Sequence, residues 1–279
     1  MDVDGKDLSG KVFVVTGAGN GIGRCVALEL ISRGATVVGA DINEVGLAET
    51  GRLVGDSRFH GHTLDIGDRE AVQRFPEVVL ADVEQVDGLF NIAGIPQDTQ
   101  PIAEVDDDRI DLLMRVNYYG TVWLTRAFLP HLEQRPDGGL VLITSSLSGL
   151  APFPGAAFYG ASKAAVAFFG YGLAQDLRGK KSKVTATTVL PGTIWTDLVR
   201  NTSKALGTPE ALAKNFAMAP EKAARLIIDA ALAGRVRAVV GKDAHVFNGA
   251  RRLSSRLSER MAYAQVGRFV YRPVRRRNE

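Results

Sequence analysis

Cysteine is almost missing from this chain: Cys25 is the single one in 279 residues. No disulfide framework is therefore possible within the chain, which fits a reducing compartment. Set in an apolar helical stretch, Cys25 reads as a buried, inert thiol. Long apolar runs are missing too. No window approaches the roughly 18 uninterrupted apolar residues that a membrane-spanning helix needs. Residues 1–10 hold three Asp and no apolar stretch, so no signal peptide is expected and the protein reads as soluble and cytoplasmic. Internal repeats and low-complexity linkers are also lacking. Lysine disappears after position 251, where nine Arg stand against Glu259 and Glu279. That segment carries +7 of the net +3, leaving −4 on the preceding 250 residues. The basic character belongs to the tail.

What is present is enough apolar residue, 46%, for one large core. Short apolar runs such as 11–16 and 35–40 read as buried strands, and further strands are expected at 59–64, 88–92, 140–145, 184–190 and 236–240. Between them, helical periodicity is expected over 21–33, 43–54, a stretch after Gly67 disturbed by Pro76, 106–131, 156–177 and 221–233. Solid apolar strands alternating with helices call for an α/β architecture, a doubly wound parallel sheet of about seven strands with helices on both faces. One domain is expected over residues 1–241, and a basic, helical extension over 242–279.

The first strand runs into Thr16-Gly17-Ala18-Gly19-Asn20-Gly21-Ile22-Gly23, which opens the first helix. Glycine lets the backbone turn sharply and come close to a pyrophosphate, whose charge is favoured at a helix N-terminus. Gly17, Asn20, Gly21, Ile22 and Gly23 are thus candidates for a dinucleotide site. The spacing is not G-x-G-x-x-G, so position after a strand and before a helix carries the reading. Asp41 ends the second strand, where a carboxylate can accept from both adenosine ribose hydroxyls and repel a 2′-phosphate. Ile42 and Asn43 follow it, with no Lys or Arg to welcome that phosphate, so NAD is expected rather than NADP. Asp65 and Ile66 are candidates for the adenine edge. Asn91, Ala93 and Gly94, after the fourth strand, offer small residues where a cofactor can pass; Asn91 can equally hold neighbouring strands together. No metal ion is called for.

Tyr159 and Lys163 are four apart on an expected helix, which puts phenol and ammonium on one face. A neighbouring ammonium favours the phenolate, and a phenol tuned downward can exchange a proton with an alcohol or ketone. Ser146 lies 13 residues before Tyr159, and Asn117 further upstream.

In the order of these motifs the chain resembles the short-chain dehydrogenase/reductase family, in its compact single-domain form with a Rossmann-like fold, over residues 8 to about 241. The resemblance implies that Tyr159 exchanges the substrate hydroxyl proton. It implies that Lys163 lowers the pKa of Tyr159 and holds the nicotinamide ribose, that Ser146 bonds the substrate oxygen, and that Asn117 holds a water linking Lys163 to solvent. Ser146-Leu147-Ser148-Gly149 fits the family's serine followed by x-x-Gly. For Pro191, Gly192, Ile194 and Thr196 it implies contact with the nicotinamide amide and pyrophosphate. The chain departs from the pattern at Ile92, where the family commonly has a second Asn. A homo-oligomer, dimer or tetramer, is implied as well.

The expected reaction is hydride transfer between NAD(H) and a secondary alcohol or ketone. Phe153, Phe158, Trp195, Leu198, Val199, Leu206, Leu212, Phe216 and Met218 suggest an apolar pocket and a lipophilic substrate, steroid-like or hydroxyacyl; they can equally pack a lid over 193–220 against the body. Gly207-Thr208-Pro209 reads as a break in that lid. In the tail, Val246, Ala250, Leu253, Leu257 and Met261 lie at helical spacing, with Arg251, Arg252, Arg256 and Arg260 around them. Such a helix docks on the body or a second subunit, or lies on an anionic membrane; no specific nucleic acid is expected. Two other readings share the fold. A sugar-nucleotide epimerase or dehydratase needs a larger substrate domain, and a non-catalytic nucleotide sensor is expected to have lost Tyr159 or Lys163.

Overall fold

A computed structural model describes residues 7–55, 57–205, 210–267 and 270. Seven strands form one parallel sheet: β1 (Val12–Thr16), β2 (Thr36–Asp41), β3 (Phe59–Thr63), β4 (Gly88–Asn91), β5 (Leu140–Thr144), β6 (Thr185–Pro191) and β7 (Arg237–Val240). Their order is β3-β2-β1-β4-β5-β6-β7, so the winding reverses between β1 and β4. In an open α/β sheet that reversal opens a crevice beyond the carboxyl ends of the strands.

The alternation of side chains along each strand divides the core. Phe13 and Val15 of β1 face one layer with Phe90, Leu142 and Val189; there they meet α1 (Gly21–Ser32), α2 (Glu44–Val54) and α9 (Pro220–Leu232). Val12 and Val14 face the other layer, with α3 (Arg69–Asp82), α5 (Thr121–Glu133) and α6 (Ala157–Gly179). Cys25 is half-buried against the first layer. Burial, with a smaller push from Glu221, raises its thiol to about 11, so it is held as the unreactive protonated form.

Three expected elements differ. Pro76 does not disturb α3, which runs unbroken from Arg69 to Asp82; the proline ring is buried on the core side, and the helix loses one backbone donor there. The long helix expected over 106–131 is a rod in three parts: α4 (Asp107–Leu113), a π-helical turn (Met114–Gly120) and α5. Asn117 sits in the wide turn, its carbonyl accepting from Thr121 Oγ1 at 3.0 Å. The tail is two helices, α10 (Lys242–Leu253) and α11 (Ser255–Ala262), broken at the extended Ser254. Of the expected stripe Ala250 is buried and Met261 packs on the core, but Val246, Leu253 and Leu257 do not; Ala244, Phe247 and Ala262 are buried in their stead. Leu253 is 84% exposed, and Val246 and Leu257 are exposed too.

Between β6 and α9 lie α7 (Asp197–Ala205) and α8 (Glu210–Phe216). The break expected at Gly207-Thr208-Pro209, Leu206, and the side chains of Leu198, Leu212 and Phe216 lie outside the described residues.

Candidate active site

Thr16 makes the floor of the crevice. At the end of β1 its hydroxyl accepts from the Ile92 and Ala93 N–H groups at 3.0 and 3.1 Å, tying the exit of β4 to that of β1. The turn after Thr16 demands glycine. Gly17 has φ +72°, and a Cβ on Gly23 would lie 2.1 Å from the Gly17 carbonyl oxygen. Asn20 caps α1 by accepting from Gly21 N–H and donates to Asp197 Oδ2 at 3.1 Å, joining the turn to the segment after β6.

A cleft of ≈ 340 Å³ lies over this floor, lined among others by Gly17, Asn20, Gly21, Ile22, Gly23, Asp41, Ile42, Asp65, Ile66, Ala93, Gly94 and Thr196. Asp41 holds the turn with both oxygens. Oδ2 accepts from Gly19 N–H and Oδ1 from Asn43 N–H, each at 2.9 Å. The carboxylate is thereby aimed at one rim of the cleft with lone pairs left over.

Some expected residues stand elsewhere. Asn91 is buried behind the cleft and is not among its lining residues; it donates to Thr125 Oγ1 and the Leu142 carbonyl at 3.3 and 3.2 Å, tying β4 to α5 and β5. Pro191 and Gly192 lie outside the lining; Asp243 at the start of α10 accepts from Thr193 N–H at 2.7 Å and packs on Gly192. Ile194 is buried in the core, its carbonyl accepting from Thr196 N–H at 2.8 Å. Ala40, Leu64 and Val116 line the cleft without having been expected to, beside Ile92, Ile95, Pro96 and Asp197.

Sequence reading also missed the buttress behind the turn. Arg24 Nε donates to Thr50 Oγ1 at 3.0 Å, and its guanidinium donates to the Gly19 carbonyl and, at 3.2 Å, to that of Gly46. Thr50, fully buried on α2, donates to the Ala18 carbonyl at 2.8 Å. Nothing local in the sequence marks this pair, since its two halves are 26 residues apart.

Lys163 and Asn117 meet beside Gly94, and Tyr159, one turn earlier on α6, lies by Ser146 just after β5. Lys163 is 4% exposed, and its ammonium donates to the Thr144 carbonyl at 3.0 Å. A Cβ on Gly94 would stand 2.9 Å from both Lys163 Nζ and Asn117 Oδ1, so only glycine lets this backbone pass so close. The Asn117 amide is spent on its neighbours: Oδ1 accepts from Ile95 N–H at 2.8 Å, and Nδ2 donates to the Ile95 carbonyl and Ser162 Oγ, each at 3.0 Å. Ser145 donates to the Lys163 carbonyl at 2.7 Å and fixes α6 to the end of β5. The Ser146 hydroxyl lies close enough to the Tyr159 phenol to act on its titration, and it accepts from Ser148 N–H at 3.1 Å.

The expectation of a lowered phenol is overturned. Burial pushes Tyr159 upward, and the Ser146 hydroxyl pulls it back only in part. Burial also pushes the Lys163 ammonium down, to about 8. Both groups are thus shifted toward their neutral forms, as low-dielectric surroundings require.

The expected basic tail packs on the loop that follows Ser146. Phe247 meets Phe153 with ring centroids 5.3 Å apart, within a cluster that includes Leu147, Leu150, Ala151, Met261 and Ala262. Arg251 donates to the Leu150 carbonyl.

A parallel sheet with a glycine turn at its switch point, a carboxylate at one rim, and a Tyr and a buried Lys one turn apart on the helix after β5 mark a dinucleotide-fold oxidoreductase. The sequence pattern of the short chain dehydrogenase family matches residues 11–207, and the chain belongs to that family. It is 35% identical over 268 residues to SadH of Mycobacterium tuberculosis, an oxidoreductase by name, covering 93% of this chain and 96% of that one. To epidermal retinol dehydrogenase 2 of Mus musculus it is 34% identical over 231 residues, 81% of this chain and 72% of that protein. A crystal structure of a short-chain dehydrogenase/reductase from Burkholderia phymatum in complex with NAD shares the fold, with a TM-score of 0.80, 24% identity and coverage of 91% and 96%.

Proposed function

We propose that this protein transfers hydride between NAD(H) and a lipophilic secondary alcohol or ketone. The observation that carries the reading is the buried Lys163 ammonium at the cleft wall beside Gly94, one helical turn from a Tyr159 whose phenol feels the Ser146 hydroxyl. The residues fit a dinucleotide: the Gly17–Gly23 turn admits a pyrophosphate without obstruction, and Asp41 suits a ribose that carries no 2′-phosphate. A bound nicotinamide supplies hydride acceptance and donation at the substrate carbon. Everything else falls to the chain. Ser146 holds the substrate oxygen, Tyr159 moves its proton, and Lys163 supplies the positive charge that makes the phenolate attainable. Asn117 keeps Ile95, and with it Gly94, at the distance that lets Lys163 reach a ribose.

The raised phenol sets a direction. Near neutral pH the resting pair is phenol and ammonium, the state that gives a proton to a ketone oxygen. Alcohol oxidation needs the phenol deprotonated and gains from alkaline pH.

A lipophilic substrate is supported by the apolar cluster of Leu147, Leu150, Phe153, Phe247 and Met261 against the Ser146 loop. The name of the murine relative, a retinol dehydrogenase, points the same way. The test is a screen for NADH production over retinol, 3β-hydroxysteroids and small secondary alcohols. Equal use of NADP by the unmodified protein counts against the cofactor assignment, and turnover of small alcohols alone counts against the lipophilic class.

Two partners belong to this proposal. A homo-oligomer is supported by the exposed Tyr119 and Phe168 on the helical layer around α6. Peripheral contact with an anionic membrane is supported by Leu253 and Leu257, exposed on a tail that also carries Arg252, Arg256 and Arg260.

A further inference from the structure

An α-helix leaves its first N–H groups without partners, and a side chain at the N-cap usually meets those of the second and third residues. The N-cap of α6 is Ala156, which has nothing to offer. The N–H groups of Phe158 and Tyr159, second and third in α6, both donate instead to Gln97 Oε1, each at 3.0 Å. Gln97 comes from the loop after β4, 62 residues from Tyr159.

That loop is fastened on both sides of Gln97. Ile95 is clamped by Asn117, the Pro96 carbonyl accepts from Arg109, and Gln100 N–H donates to the Gly155 carbonyl at 3.2 Å. Gln97 itself is 8% exposed, and its Nε2 finds no acceptor among the described residues. A buried donor left unmet is destabilising. The amide is thus kept in place for its acceptor, at the turn of helix that carries the phenol.

We infer that Gln97 is a positioning residue: it caps α6 from a distant loop and thereby fixes where Tyr159 stands relative to Ser146. This rests on the proton-transfer role proposed for Tyr159. Lys163, one turn further along α6, is anchored separately by Thr144 and Ser145. Loss of the cap therefore loosens the phenol more than the ammonium.

The experiment compares Gln97→Met, which keeps the length and loses the acceptor, with Gln97→Glu, which keeps it. Amide hydrogen exchange at Phe158 and Tyr159 is followed in the full chain, beside kcat, KM and NAD affinity with whichever alcohol the screen identifies. In Gln97→Met those two amides are expected to exchange roughly five- to tenfold faster. Its kcat is expected to fall roughly tenfold or more at unchanged NAD affinity, because a displaced proton donor acts on the chemical step. Gln97→Glu is expected to restore the protection. Unchanged exchange in Gln97→Met, a wild-type kcat in that variant, or equally fast exchange in Gln97→Glu overturns the inference. If the unmodified protein oxidises none of the alcohols, the functional reading fails, while the exchange measurements still decide the capping.

Discussion

Replacing Lys163 by Met is expected to stabilise the cofactor-free protein while abolishing turnover. The ammonium is 4% exposed and hydrogen-bonds one carbonyl, and burial lowers it from 10.5 to about 8. A group that binds its proton less readily folded than unfolded costs stability wherever the unfolded chain is the more protonated. For a lysine lowered in this way the cost is complete below the folded value. It fades as pH rises from about 8 toward 10.5. Each unit is worth about 1.4 kcal/mol, so the penalty is about 3 kcal/mol near pH 7 and about 2 kcal/mol near pH 9. Methionine removes it and leaves the Thr144 carbonyl unmet, which returns about 1 kcal/mol. The balance is about 2 kcal/mol, or a rise of roughly 4–8 °C in Tm for a chain of this size. Thermal unfolding of both proteins near pH 7 and pH 9 reads it. A variant that melts lower than the unmodified protein, or an advantage that grows with pH, refutes the reasoning.

Asp41→Ala removes the acceptor of the Gly19 and Asn43 N–H groups along with the proposed ribose contact. NAD affinity, measured by calorimetry, is expected to fall roughly tenfold or more. The preference over NADP is expected to narrow. Leu253→Asp puts a charge on the most exposed apolar residue of α10. Sedimentation with phosphatidylglycerol vesicles is expected to drop in this variant with turnover of a soluble alcohol unchanged; equal sedimentation of both proteins removes the membrane proposal. The pH profile is expected to separate the two directions, ketone reduction holding near neutral pH and alcohol oxidation rising into the alkaline range. Profiles of the same shape contradict the raised phenol.

The strands and the turn between β1 and α1 were legible because they obey local rules. Solid apolar runs mark strands buried on both faces, and glycine marks a backbone that has to turn or approach. The four residues Asn117, Ser146, Tyr159 and Lys163 could be picked out only together, from their order; the structure sets Asn117 and Lys163 against Gly94 and Ser146 by Tyr159. What depended on partners could not be read. The tail's apolar spacing was visible, but not which face would be covered; Ala244 and Phe247 pack in the cluster with Phe153, while Leu253 stays outside. Asn91 offered two roles, and the strand tie became visible only through its contact with β5. The Tyr159–Lys163 spacing spoke for a lowered phenol, whereas burial, invisible in the sequence, pushes it up against the pull of Ser146. Gln97 carries no motif at all, because a cap supplied across 62 residues leaves no local pattern.

The central claim is that Tyr159 moves the substrate proton, and Tyr159→Phe tests it most directly, since one oxygen is removed and the ring remains. With an alcohol that the unmodified protein oxidises, kcat for NADH production is expected to fall roughly 10²–10⁴-fold while NAD affinity stays within about twofold. Turnover at the unmodified rate in that variant contradicts the account.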